Sequence, residues 1–154
     1  MKKYMVFFLL IISSISSSIF ALDINDHKTI NQIIEHFTSA WNDRAGQGSA
    51  DYYSADADFV NIFGMAFTGK REIEERHIQI HESFLRGSIF EVTDLRLREA
   101  KPGVVIAHVY WKVNNIHKPG KDPINEIMKG IFTHVLLKND KWEITATQNT
   151  LISN

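Results

Sequence analysis

Imidazoles and amides are the residues of this chain best suited to chemistry, and their spacing limits what they could do. His77 and His81 stand four residues apart, so on a helix both rings fall on one side. That spacing would suit a metal pair, but a zinc site takes a third protein ligand. Neither Glu74 nor Glu82 shares the centre of that face, so no metal is expected. No cofactor is expected either, because no glycine-rich turn between a strand and a helix offers a nicotinamide or flavin phosphate site. The pair is then either a hydrogen-bonding element of a pocket, with His77 a candidate acid or base, or part of the structural core. His134 alternates with Phe132 and Leu136 on what reads as a buried face. An imidazole buried among apolar groups tends toward its neutral form, which donates through one nitrogen and accepts through the other.

The final stretch offers a candidate amide. Trp142, Ile144, Ala146 and Gln148 share one parity, while Glu143, Thr145, Thr147 and Asn149 share the other. Successive side chains of a strand point to opposite faces, so the apolar series is expected to end on Gln148 facing inward. A buried amide must be paired, by the protein or by something bound. Trp41, at the end of an apolar helical stripe, is either core packing or the floor of a pocket. Tyr110 shares its parity with His108 and Lys112, opposite Val109 and Trp111; that face could line a cavity or meet solvent or a second subunit.

Elements must position these groups, and the pattern places helices before strands. Asp26 can cap a helix whose apolar positions are Ile30, Ile33, Ile34, Phe37, Ala40 and Trp41, ended by Gly46 and Gly48. Residues 58–63 and 66–68 read as a hairpin about Gly64-Met65. A second helix opens at 68–70 and carries Ile73, His77, Ile80, His81 and Phe84 on one face. After Gly87 the period becomes two. Strands are expected over 88–100, 104–116, 126–138 and 141–152, with turns at Pro102-Gly103 and Asn139-Asp140 and a polar loop over 117–125. Helices followed by a four-stranded meander define an α+β fold.

The first residues read as an address rather than as structure. Lys2 and Lys3 precede an apolar run from Met5 to Ile12, then serines, then Phe20-Ala21. This is the pattern of a secretory signal peptide over 1–21, cleaved after Ala21, with 22–154 as one domain in the periplasm or secreted. The 154 residues less 21 leave 133, and the 17 basic residues less Lys2 and Lys3 leave 15 against 18 acidic ones, a formal charge of −3. Nothing in that balance suits nucleic acid, or a membrane surface once the leader is removed. Without cysteines, an exported domain must be held together by its apolar core.

Several stretches together resemble a known family. Ala40-Trp41-Asn42, the run from Asp56 to Gly64, Gly69-Lys70-Arg71-Glu72-Ile73, His77, and Lys141 to Ala146 with Asn149-Thr150 are similar to the SnoaL-like, SgcJ/EcaC-type branch of the nuclear transport factor 2-like superfamily. The likeness spans residues 26–152. It implies a cone-shaped curved antiparallel sheet, with helices packed on its concave side around a pocket, and pairing of two copies through the sheet. It implies no single reaction, because such folds serve as isomerases, dehydratases, hydrolases, binding domains and assembly domains. His77 stands at the family's mid-helix histidine. Asn61 lies three before Gly64, where steroid-isomerase relatives carry a general-base carboxylate; an amide cannot take that proton, though it can orient a ligand carbonyl or hydroxyl. Asp58 falls on the opposite face of that strand from Asn61.

Three readings follow. The first is an exported domain binding a small apolar or amphipathic molecule through Trp41, Asn61, His77, His81, Tyr110, His134 and Gln148. The second is a small lyase, isomerase or hydrolase with His77 as acid or base. The third is a homodimeric assembly module.

Overall fold

The computed structural model describes residues 22–116 and 127–153. The leader expected over 1–21 and the polar loop expected over 117–125 lie outside the described residues, as does Glu126. Two helices and six strands follow in the order α1 (Ile24–Arg44), β1 (Tyr53–Val60), β2 (Ala66–Thr68), α2 (Lys70–His81), β3 (Ile89–Lys101), β4 (Val104–Asn114), β5 (Met128–Lys138) and β6 (Trp142–Leu151).

The N-cap of helix α1 lies three residues before the expected one. Asp23 is the N-cap, its Oδ1 accepting the Asn25 N–H at 2.8 Å. Asp26 instead sits in the first turn and accepts from Lys138 Nζ at 2.7 Å and Trp142 Nε1 at 2.9 Å. Those hydrogen bonds hold its carboxyl below the usual carboxylate range and tie the start of α1 to the far hairpin. The expected stripe of Ile30, Ile33, Ile34, Phe37, Ala40 and Trp41 is buried. At the other end Ala45 turns left-handed, and the Gly46 N–H reaches back to Ala40 O at 2.9 Å.

The strands form one sheet in the order β2-β1-β6-β5-β4-β3. Consecutive strands from β3 to β6 pair antiparallel, β3 with β4 and β5 with β6 through short turns, whereas β1 joins β6 in parallel. Alternation along β4 buries Val105, Ala107, Val109, Trp111 and Val113. Register shifts in β3, and between β5 and β6, bend the sheet. The helices lie on its inner face, where Phe37 of α1 meets Phe90 and Phe132 edge-on at ring separations of 5.4 and 5.5 Å. The architecture is α+β with a curled sheet.

Candidate functional site

Between α2 and the inner face of the sheet lies a cavity of about 60 Å³, walled by aromatic rings including Trp41, Phe59, Phe90, Trp111 and Phe132. It reaches the surface beside Phe63, which is 65% exposed. Four polar side chains line it: Asn61, Arg76, His77 and Asn149.

His77 owes its place to α2. Its Nδ1 lies 2.7 Å from Ile73 O; a carbonyl only accepts, so Nδ1 carries the proton and Nε2 presents a lone pair. Rings of Phe59 and Phe37 stand edge-on to the imidazole at 5.2 and 5.4 Å. Burial in that apolar cage lowers its pKa to about 4, opposed in part by the Ile73 hydrogen bond. At neutral pH it is therefore an acceptor with no proton to give at Nε2.

Gly46 sets how closely α2 approaches. A Cβ there would stand 2.8 Å from the backbone carbon of His77 and 2.9 Å from its oxygen, and the residue has φ +87°. Gly46→Ala is expected to destabilise the fold by about 2 kcal/mol, through a left-handed backbone and a pushed-out helix. Urea denaturation checks this; an unchanged midpoint would mean α2 has room to move.

Asn61 is buried at the end of the β1–β2 hairpin. Its Oδ1 accepts the N–H groups of Phe63 and Met65 at 2.9 and 3.0 Å, so the hairpin consumes the oxygen and only Nδ2 is left for a ligand. Asp58 is exposed and accepts from Thr68 Oγ1 at 2.9 Å, on the opposite face as expected. Trp41 lines the cavity while its Nε1 donates to Ser88 Oγ at 3.1 Å.

Four expected positions do not join the cavity. Gln148 was expected inward and is exposed. Leu136 pairs with Ile144 but Val135 with Ala146, so one step along β5 matches two along β6 and Thr145 is the extra residue of a bulge. Past that bulge the parity inverts: Thr147 and Asn149 turn inward, and Gln148 outward. Tyr110 lies on the outer face of β4, with the Arg96 guanidinium 4.7 Å above its ring. His81 is buried but outside the cavity, edge-on to Trp41 at 4.6 Å, with no partner for Nε2 among the described residues. Four residues turn a helix through 400°, so His81 is displaced by some 40° and one turn from His77, enough to put it behind Trp41. No third His, Asp or Glu stands with the pair among the described residues. His134 is buried behind Phe132, stacked on it at 5.3 Å, and its Nδ1 meets Thr147 Oγ1 at 2.7 Å, which also meets Tyr53 Oη at 3.1 Å. Burial lowers the His134 pKa to about 3.

Sequence reasoning missed Asn149 and Arg76 as lining residues. Asn149 depended on the bulge, which no glycine or other turn residue announces. Arg76 is a partly buried helix residue whose guanidinium lies 5.9 Å from the Phe67 ring, and nothing in its spacing marked it. The indole of Trp111 lies across Gly130 of β5 and donates from Nε1 to Asn149 Oδ1 at 3.2 Å on β6, so one ring joins three strands at the cavity wall.

No family model and no curated protein matches this chain. Solved structures do match. A domain of unknown function with a cystatin-like fold from Nostoc punctiforme superposes with a TM-score of 0.74 at 24% identity, over 86% of this chain and 81% of that one. A cystatin-like protein from Caulobacter vibrioides gives a TM-score of 0.73 at 20% identity, over 82% and 89% respectively. A hexachlorocyclohexane dehydrochlorinase gives 0.73 at 13% identity, over 84% and 87%. Likeness at this identity establishes the fold and not the chemistry. The chain has the cystatin-like fold, the architecture of nuclear transport factor 2-like cones. That fold is compatible with either a binding or an enzymatic domain.

Proposed function

We propose that this chain is an exported binding domain of the SnoaL-like, SgcJ/EcaC type, cleaved after Ala21, that takes a small apolar or amphipathic molecule into its cone. The observation that carries the reading is the cavity itself: aromatic walls with four polar residues among those that line it. Ligand sites are commonly of this kind, mostly apolar with a few polar groups to fix orientation. A wall this rich in rings would be costly to leave facing empty space, because its atoms lack packing partners. No helix among the described residues is long and apolar enough to cross a membrane. The test is native mass spectrometry of protein purified from its own host. A retained small molecule, lost on mild unfolding, is the expected result; protein that is always empty would count against the reading.

An enzymatic reading is favoured by one observation, the free Nε2 of His77 in the cavity. The dehydrochlorinase shows that this fold can house a catalyst. As a base His77 would be weak, since its pKa lies near 4. As an acid it would act only in strongly acidic solution. A lining without Asp or Glu gives it no carboxylate to raise its basicity. Pairing of two copies through the outer sheet face, where Ile106, Tyr110, Ile131 and Val135 are half-buried, is compatible with either reading.

A further inference from the structure

The hydrogen-bonding capacity left in the cavity is unusually well determined. Each ambiguous side chain is oriented by a partner of fixed polarity. Two backbone N–H groups occupy Asn61 Oδ1, so Asn61 offers Nδ2, a donor. The indole N–H of Trp111 occupies Asn149 Oδ1, so Asn149 likewise offers Nδ2. Arg76 offers a guanidinium, which only donates, and pairs with no carboxylate among the described residues. The Ile73 carbonyl fixes His77 Nδ1 as protonated, so Nε2 is an acceptor. None of these free atoms is sealed away from the cavity or solvent. The lining therefore presents three donor groups, one of them a full positive charge, with His77 Nε2 as the one acceptor not already engaged and no negative charge.

We propose that the cavity selects a short-chain monocarboxylic acid bearing a hydroxyl group: the carboxylate meets Arg76 and the amide donors, and the hydroxyl donates to His77 Nε2. A carboxylate accepts only, and matches an excess of donors that a neutral amide or an alcohol would leave partly unpaired. A ligand hydroxyl supplies the single donor that Nε2 needs. Size sets the carbon count. The volume of about 60 Å³ behind the mouth at Phe63 is less than half of the roughly 150 Å³ that holds benzene, which favours a short aliphatic chain as the apolar body.

This inference rests on the binding reading above, and the experiment separates the two. Lactate, the hydroxybutyrates and the hydroxyvalerates are titrated calorimetrically into the full mature chain, each beside its primary amide and its hydroxyl-free acid. At least one hydroxy acid is expected to bind, about tenfold or more tightly than its amide and more tightly than the hydroxyl-free acid. Arg76→Gln, which removes the positive charge from the lining but keeps an amide donor, should abolish the acid-over-amide preference. Amides binding as well as acids, or a preference unaltered in Arg76→Gln, would overturn the carboxylate assignment and leave the binding reading standing. Equal affinity with and without the hydroxyl would overturn the role given to His77 Nε2. Failure of every compound overturns this proposal, while a retained molecule of another class in native mass spectrometry would still uphold the broader reading.

Discussion

Gly130→Ala is expected to destabilise this protein by about 3 kcal/mol or more and to abolish ligand binding with it. The reason is geometric. A Cβ on Gly130 would lie within the van der Waals surface of Trp111 Cζ2, 2.5 Å from Cε2 and 2.6 Å from Thr150 O. The indole is hemmed in by Phe90 and Phe132, stacked or tilted against it at 6.0 and 5.9 Å, so it cannot step aside without disturbing the ring cluster that walls the cavity. Moving it would also break its hydrogen bond to Asn149 and release that amide from its orientation. Urea denaturation measures the loss. The double variant with Trp111→Leu supplies the control, because removing the ring removes the clash with the indole and leaves only the approach to Thr150 O. Much of the stability lost in Gly130→Ala should then be absent from the combined change, a coupling of contacting sites. Binding should not return, since the cavity wall is gone. Additive effects of the two substitutions would show that the indole does not depend on Gly130.

Acidification is expected to unfold the chain over a window set by its buried imidazoles. An exposed histidine takes up a proton near pH 6.5, but burial delays this to about pH 4 for His77 and about pH 3 for His134. Between those limits the unfolded chain binds more protons than the folded one, so stability falls as pH falls. It is undiminished by these groups above pH 6.5 and bears their full penalty below about pH 3. The penalty is of the order of 3 kcal/mol for His77 and somewhat more for His134, comparable with the whole stability of a small domain. Tryptophan fluorescence and circular dichroism against pH would follow the transition. His134→Asn keeps a polar group for Thr147 but removes the titration, and should flatten the acid limb. An unchanged limb would assign the effect to carboxylates instead.

The inversion at Thr145 explains why the reading of β6 succeeded at its start and failed at its end. Trp142 and Ile144 face inward as their alternation requires. One extra residue then moves every later side chain to the other face, exchanging Gln148 for Asn149. Strand β4 has no bulge among its inward residues in its pairing with β5, and there the parity from Val105 to Val113 was legible throughout. Tyr110 could be assigned to the face opposite Trp111 from sequence, but which face was the concave one depended on where the helices packed.

What the sequence determined by itself was local and periodic: two amphipathic helices, the hairpin, the meander and the buried stripe of α1. Each follows from residue spacing and turn chemistry within a few residues. Tertiary structure decided what depended on distant partners. The Ile73 carbonyl and the surrounding rings made His77 a neutral acceptor, and Trp41 screened His81 from the space its neighbour reaches. Gly130 let an indole cross a strand to claim Asn149, and a register shift between β5 and β6 chose which amide faces inward. Hydrogen-bond polarity and strand register belong to pairs of residues far apart in the chain, so no reading of one segment at a time could have supplied them.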